Sequence, residues 1–200
     1  MKHLIGVYDY TVILTYLSLV SALTGLHQAA QGHTTAGILC VVLSGLLDAF
    51  DGAVARTKKN RTEDEKAFGI QLDSLCDIIS FGVVPAFLCY GMGADGVLGR
   101  VFVFLYVLCA LIRLAFFNVL EIKRQKTQTG SSKIYRGLPV TSIALILPVV
   151  YALKFLISPP AFAVLLHVML LVVGFLFVLD FQVRKPNWDR LISRKTKISV

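Results

Sequence analysis

The stretch Leu47-Asp48-Ala49-Phe50-Asp51-Gly52-Ala53-Val54-Ala55-Arg56 places two carboxylates inside an apolar run, and Gly69-Ile70-Gln71-Leu72-Asp73-Ser74-Leu75-Cys76-Asp77 does the same beyond a short polar loop. An aspartate at the centre of a bilayer-spanning helix costs about 2.5 to 3.5 kcal/mol on insertion scales, so four retained together imply a compensating partner. At 100° per residue, Asp48, Asp51, Gly52 and Ala55 fall within a stripe of roughly 100°, and Gly69, Asp73 and Asp77 within one of about 80°. Two helices joined by one loop run antiparallel. With a rise of about 1.5 Å per residue, Asp48 and Asp77 sit about 12 Å in from the loop side, and Asp51 and Asp73 about 6 to 8 Å. All four carboxylates can therefore meet at matched depth.

Four like charges that close would force some to protonate unless cations neutralise them. Oxygen ligands with no histidine or thiolate among them favour a hard ion such as Mg²⁺ or Mn²⁺, and four carboxylates suit two ions. The competing reading, interhelical pairs with Lys or Arg, is less favoured because the loop lysines are placed outside the apolar runs. Gly52 and Gly69 allow close helix packing. Beside a metal site, the missing side chain also lets a diphosphate approach the backbone.

Outward from this stretch the chain keeps the same character. Of its 200 residues 56% are hydrophobic and 16% charged, with mean hydropathy +0.73; ordinary soluble domains carry about 25% charge. A span needs roughly 20 apolar residues, which leaves room for about six and no separate soluble domain. Apolar runs fall at Thr11 to Ala30, Thr34 to Arg56, Ala67 to Met92, Leu98 to Leu120, Leu138 to Ile157 and Ala161 to Phe181. The expected fold is an all-α integral membrane protein, a six-transmembrane-helix bundle forming one domain over residues 1–200. The first apolar run is long, follows a single lysine and lacks a cleavage site, so it reads as a retained helix.

Of the 20 Lys and Arg, all but Arg100, Lys154 and Arg113 fall on one side of these spans, in the N-terminal segment, the second and fourth loops and the C-terminal tail. By the positive-inside rule that side is cytoplasmic and holds both termini, which puts the active site at the cytoplasmic face of the cell membrane. The +8 net charge then reflects topology and attraction to anionic lipid headgroups, and no nucleic acid need be invoked. Cys40, Cys76, Cys89 and Cys109 stand singly in apolar runs, which signals neither disulfides nor zinc. His3, His27, His33 and His167 do not cluster with the aspartates.

Written as spacing, the opening stretches read Asp48-x2-Asp51-Gly52-x2-Ala55-Arg56, twelve residues, then Gly69-x3-Asp73-x3-Asp77. This resembles the signature of the CDP-alcohol phosphatidyltransferase family at every fixed position, residues 48–77. The twelve-residue insert, Thr57 to Phe68, is longer than the family's usual one and falls in a loop, where added length costs little. The resemblance implies a homodimer of six-helix bundles, each with a bimetal site. Asp48, Asp51, Asp73 and Asp77 would hold two divalent cations. Gly52, Ala55, Arg56 and Gly69 would line the CDP-lipid pocket, with Asp77 as the catalytic base.

The run Asp73 to Ala86, then Arg113-Leu-Ala-Phe-Phe-Asn118 and Gly137-Leu138-Pro139, resembles the bacterial and archaeal phosphatidylserine synthases of that family. The resemblance implies transfer of the phosphatidyl group from CDP-diacylglycerol to L-serine, with CMP leaving. A serine carboxylate needs a cation, and Arg113, Lys133 and Arg136 are the candidates. A structural pair with an aspartate is the other reading of Arg113, and snorkelling to the interface that of Lys133 and Arg136. Rival functions are the same chemistry on glycerol 3-phosphate or an inositol phosphate, and, in another class, a cation transporter. In the first span Ser18 stands where the family often has asparagine and is given no role. Asn118 also reads as a helix-to-helix hydrogen bond, Pro85 as a bend, and Gly137-Leu138-Pro139 as a plain helix start.

Overall fold

Apolar periodicity and small residues at contacts dictate a helical bundle, and the computed structural model, which describes residues 6–55, 57–58, 61–127 and 134–184, has that architecture. Helix α1 (Ile13–Ala30) follows a 3-10 turn at Tyr10–Val12 that is capped by Asp9. Gly32, at φ +89°, turns the chain directly into α2 (Thr34–Ala55). The hairpin is tight because its contact residues are small. A Cβ on Gly25 would come within 2.8 Å of both the Cys40 Cβ and the Gly37 carbonyl oxygen, the close approach that small residues permit between membrane helices. Hydroxyls hold the seam: Ser18 bonds to Ser44 Oγ at 2.7 Å, and Ser21 donates to the Cys40 carbonyl at 2.9 Å.

Helix α3 (Glu63–Asp77) begins one turn before the apolar run that marks it in sequence. Thr62 accepts from the Glu65 N–H at 3.1 Å and Glu65 accepts from the Thr62 N–H at 3.0 Å. This reciprocal cap, with Glu63, Asp64 and Glu65 at the positive helix end, lets a charged turn join the helix. A π-helical turn at Ile78–Val83 leads to α4 (Val84–Gly91). Pro85 lacks the N–H that an α-helix would aim at the Phe81 carbonyl, and the buried Tyr106 hydroxyl donates to that carbonyl at 2.7 Å instead.

Helix α5 (Gly96–Thr127) overruns the expected Leu98 to Leu120 at both ends; at about 1.5 Å per residue it exceeds the bilayer's apolar thickness, so its last turns reach beyond it. The segment expected as a full span at Leu138 to Ile157 is shorter. It consists of α6 (Ile143–Ala152) between two 3-10 turns, with Pro148 inside. Ser158 then precedes α7 (Pro159–Val178). Five helical segments are long and apolar enough to cross a membrane, Tyr10–Ala30, Thr34–Ala55, Glu63–Gly91, Gly96–Lys123 and Pro159–Val178, and Val140–Phe155 is a sixth, shorter apolar one.

One departure from an all-α chain is a two-stranded antiparallel ribbon of β1 (Ile134–Arg136) and β2 (Gln182–Arg184). It ties the segment before α6 to the end of α7, and the Gly137 N–H donates to the Phe181 carbonyl at 2.7 Å beside it. The interior packs Phe81, Val84, Leu88, Tyr106, Leu147, Leu170 and Phe177. Large apolar side chains also face outward along the helices, among them Leu39, Phe50, Phe104, Leu145, Val164 and Phe175. Outward-facing apolar side chains along the helices, with hydroxyls and small residues at helix contacts, suit lipid as the solvent.

Candidate active site

The α2–α3 hairpin brings its acidic faces together as their spacing requires. Ligating oxygens of Asp48, Asp73 and Asp77 all lie within 4.8 Å of one another. Asp48 comes close to Asp77, and Asp51 to Asp73, which are the pairs of equal depth. Asp77 is only 8% exposed. Asp73 Oδ1 is buried without a hydrogen-bond partner, and an orphaned carboxylate oxygen in such a place is costly unless a cation meets it. The donor set is oxygen throughout, so these residues fit a hard metal ion. Asp51, outside that group of three, turns its Oδ2 to the Thr15 hydroxyl of α1, from which it accepts at 3.1 Å.

Two cavities flank the carboxylates. The first, about 390 Å³, opens between α1, α2, α3 and the loop joining the last two, and is lined by Thr15, Asp51, Gly52, Ala55, Gly69 and Asp73 together with Lys58, Arg61, Lys66 and Glu121. The second, about 420 Å³, lies between α3, α5 and the start of the α6 segment, and is lined by Asp73, Asp77, Ser74, Arg113, Phe117, Asn118, Glu121 and Thr141 among others. Asp73 borders both. Arg113 stacks on the Phe117 ring, 3.7 Å from its centroid. A Cβ on Gly137 would lie 3.1 Å from Arg113 Nη1 and 2.8 Å from the Leu179 carbonyl oxygen.

Residues 10–181 match the CDP-alcohol phosphatidyltransferase family. The chain belongs to that family. Its similar relatives include the Saccharomyces cerevisiae CDP-diacylglycerol--serine O-phosphatidyltransferase, 34% identical over 73% of this chain and 54% of the yeast protein. The archaetidylserine synthase of Methanothermobacter thermautotrophicus is 33% identical over 81% of this chain and 66% of its own length. The Mycobacterium bovis CDP-diacylglycerol--serine O-phosphatidyltransferase is 34% identical over 54% and 37%. The chain thus spans about half the length of these curated relatives. Family membership and the five long apolar helices make it an integral membrane protein.

Of the site residues read from sequence, this chain gathers Gly52, Ala55 and Gly69 around the first cavity, Arg113 beside the second, and the aspartates between them. Arg56 and Lys133 lie outside the described residues, as does the side chain of Arg136. His27, His33 and His167 stay clear of the carboxylates, bonding to Gln31, Gln28 and the Ala163 carbonyl. Asn118 does bridge helices: it accepts from Ser74 at 2.6 Å and its amide reaches Gln71 at 3.3 Å.

Sequence reasoning missed Thr15. It looked to Ser18 for a first-helix polar residue, whereas Ser18 pairs with Ser44 and Thr15 reaches Asp51. The signal was present, since Thr15, Ser18, Ser21 and Gly25 recur every three or four residues and mark one helix face. Arg61 and Glu121 were missed as well; both belong to polar segments that look like solvated loop or helix end.

Proposed function

We propose that this chain transfers the phosphatidyl group of CDP-diacylglycerol to the hydroxyl of L-serine, giving phosphatidylserine and CMP. The observation that carries this reading is the carboxylate cluster of Asp48, Asp73 and Asp77 between two cavities, with Asp73 facing both. The relatives' names supply the substrates. The first cavity takes the CDP-lipid against Gly52, Ala55 and Gly69, with Arg56 as a further contact, and the second takes serine.

In the reaction a bond forms between the serine hydroxyl oxygen and the lipid-side phosphorus, and the bond from that phosphorus to the CMP oxygen breaks. A neutral hydroxyl is a poor nucleophile, so Asp77 accepts its proton as the bond forms. Asp48, Asp51, Asp73 and Asp77 would hold two divalent cations, Mg²⁺ or Mn²⁺, which neutralise charge developing on the diphosphate. Arg113 pairs with the serine carboxylate through its planar fork, and the Phe117 ring beneath it holds that plane. Lys133 and Arg136 stand as further acceptor contacts.

The reading extends to one domain over 1–200, to both termini and the site at the cytoplasmic face of the cell membrane, which the one-sided distribution of Lys and Arg supports, and to a homodimer, which the family resemblance implies. Acyl chains then stay in lipid while serine arrives from water. A glycerol 3-phosphate or inositol phosphate acceptor would call for clustered cations, and among the described residues the second cavity offers Arg113 beside Glu121, which favours a zwitterion.

The test is purified protein with CDP-diacylglycerol, Mg²⁺ or Mn²⁺, and a panel of labelled acceptors. Phosphatidylserine and CMP should appear together and cease on chelation. Product from glycerol 3-phosphate but not serine would replace the acceptor; no CMP with any acceptor would end the reading.

A further inference from the structure

The loop between α2 and α3 carries a residue that neither the acidic clusters nor the signature spacing explains. Arg61 lies in the insert, yet its side chain folds back to line the first cavity beside Gly52, Ala55 and Gly69. One terminal nitrogen, Nη2, donates to the Glu65 carbonyl at 3.0 Å. That same nitrogen sits 2.6 Å from where a Cβ on residue 69 would be. A side chain at position 69 would therefore displace the guanidinium from its place in the cavity wall.

The Nε–H of Arg61 is buried and has no hydrogen-bond partner. A guanidinium donor withdrawn from water and left unmatched costs stability unless a ligand supplies the acceptor. Its position indicates which part of the ligand does so. Ala55 and Gly69 each lie one turn, about 6 Å, toward the loop from Asp51 and Asp73. If the diphosphate faces the carboxylates, the nucleoside lies over that outer turn, where Arg61 is.

We propose that Arg61, supplied by the insert, is a nucleoside-binding residue, its Nε–H donating to an acceptor atom of the cytidine (a cytosine carbonyl or ring nitrogen, or a ribose oxygen), with Gly69 kept small to seat it. This rests on the proposed function, because it takes the first cavity to hold a CDP-lipid.

The test is calorimetric titration of the purified protein with CMP and, separately, with inorganic pyrophosphate, both with Mg²⁺ present. Arg61→Ala should weaken CMP roughly tenfold, the size expected for one charge-assisted hydrogen bond, and leave pyrophosphate unchanged. Arg61→Lys should recover little, since lysine has no donor at the Nε position. It carries the same comparison should Arg61→Ala melt early. Unchanged CMP affinity in both variants, or equal weakening of CMP and pyrophosphate, overturns the role. A wild-type protein that binds no CMP overturns the proposed function and this inference with it; wild-type binding that survives unchanged in the variants overturns the inference alone.

Discussion

The two cavities beside the aspartates are alike in size and opposite in construction. The first is built almost wholly from one hairpin and its loop, residues 51–73, with α1 as a lid and cations at its mouth. The second draws on α3, α5 and the start of the α6 segment, and its described cation, Arg113, is stacked on an aromatic ring. A local pocket with several cations suits a polyanion that must be held whatever acceptor follows. A pocket assembled from distant segments, with one oriented guanidinium, suits a small ligand that must be told apart from others. The wall they share holds Asp73, with Asp77 next to it on the side of the second cavity.

The largest effect should come from that wall. Asp77→Asn removes the proposed proton acceptor, and turnover measured by CMP release should fall about 10²- to 10⁴-fold while CMP binding survives. Near-wild-type turnover would take Asp77 out of the chemistry.

Arg113→Ala should act on one cavity only, raising the KM for serine by about tenfold or more with the KM for CDP-diacylglycerol unchanged. Arg113→Lys should restore little, because lysine provides neither the fork nor the flat stack. A rise in both KM values would merge the two cavities into one site.

Gly137→Ala should give a smaller version of the same split. Gly137 has φ +64°, which costs a non-glycine residue about 1 to 2 kcal/mol. Its added methyl would press on the Arg113 guanidinium and the Leu179 carbonyl. A lower melting temperature with a severalfold higher serine KM is expected; lower stability alone would make Gly137 a turn residue with no part in positioning.

The smallest effect concerns the mouth of the first cavity. Lys58 bridges Asp9 at 2.8 Å and Glu65 at 3.1 Å, tying the segment before α1 to the α2–α3 loop. The Lys58 ammonium, with further help from Thr11, pulls the Asp9 carboxyl from 3.8 down to about 2. A carboxyl depressed in the folded state adds stability that is complete above its unfolded value and is lost as pH falls through the folded one. Melting followed from pH 5 to pH 2 should show that loss between about pH 4 and pH 2, and Asp9→Asn should flatten it. An unchanged pH profile in Asp9→Asn would mean the bridge is too screened to matter.

The hairpin cavity was readable before any fold because its determinants are contiguous. Helical spacing sets which of residues 48–77 share a face, and one short loop sets their depth, so Asp48 met Asp77 and Asp51 met Asp73. Apolar runs likewise located the helices to within a turn at most ends. Where they erred, a local device intervened: the Thr62 and Glu65 cap drew a charged turn into α3, and the proline-bearing Val140–Phe155 segment came out shorter than its apolar run. Thr15 could have been found from its helix face, whereas Arg61 could not, because nothing in a polar loop says which side chain folds inward.

From sequence alone came the membrane setting, the acidic pairing and the family signature, all properties of residues within a few helical turns of one another. Tertiary structure alone decided the second cavity. Arg113, Phe117 and Asn118 from α5, Ser74 and Asp77 from α3 and Gly137 before α6 come together only once α5, α7 and the ribbon pack. Periodicity orients a side chain on its own helix but carries no information about which distant helix it will face.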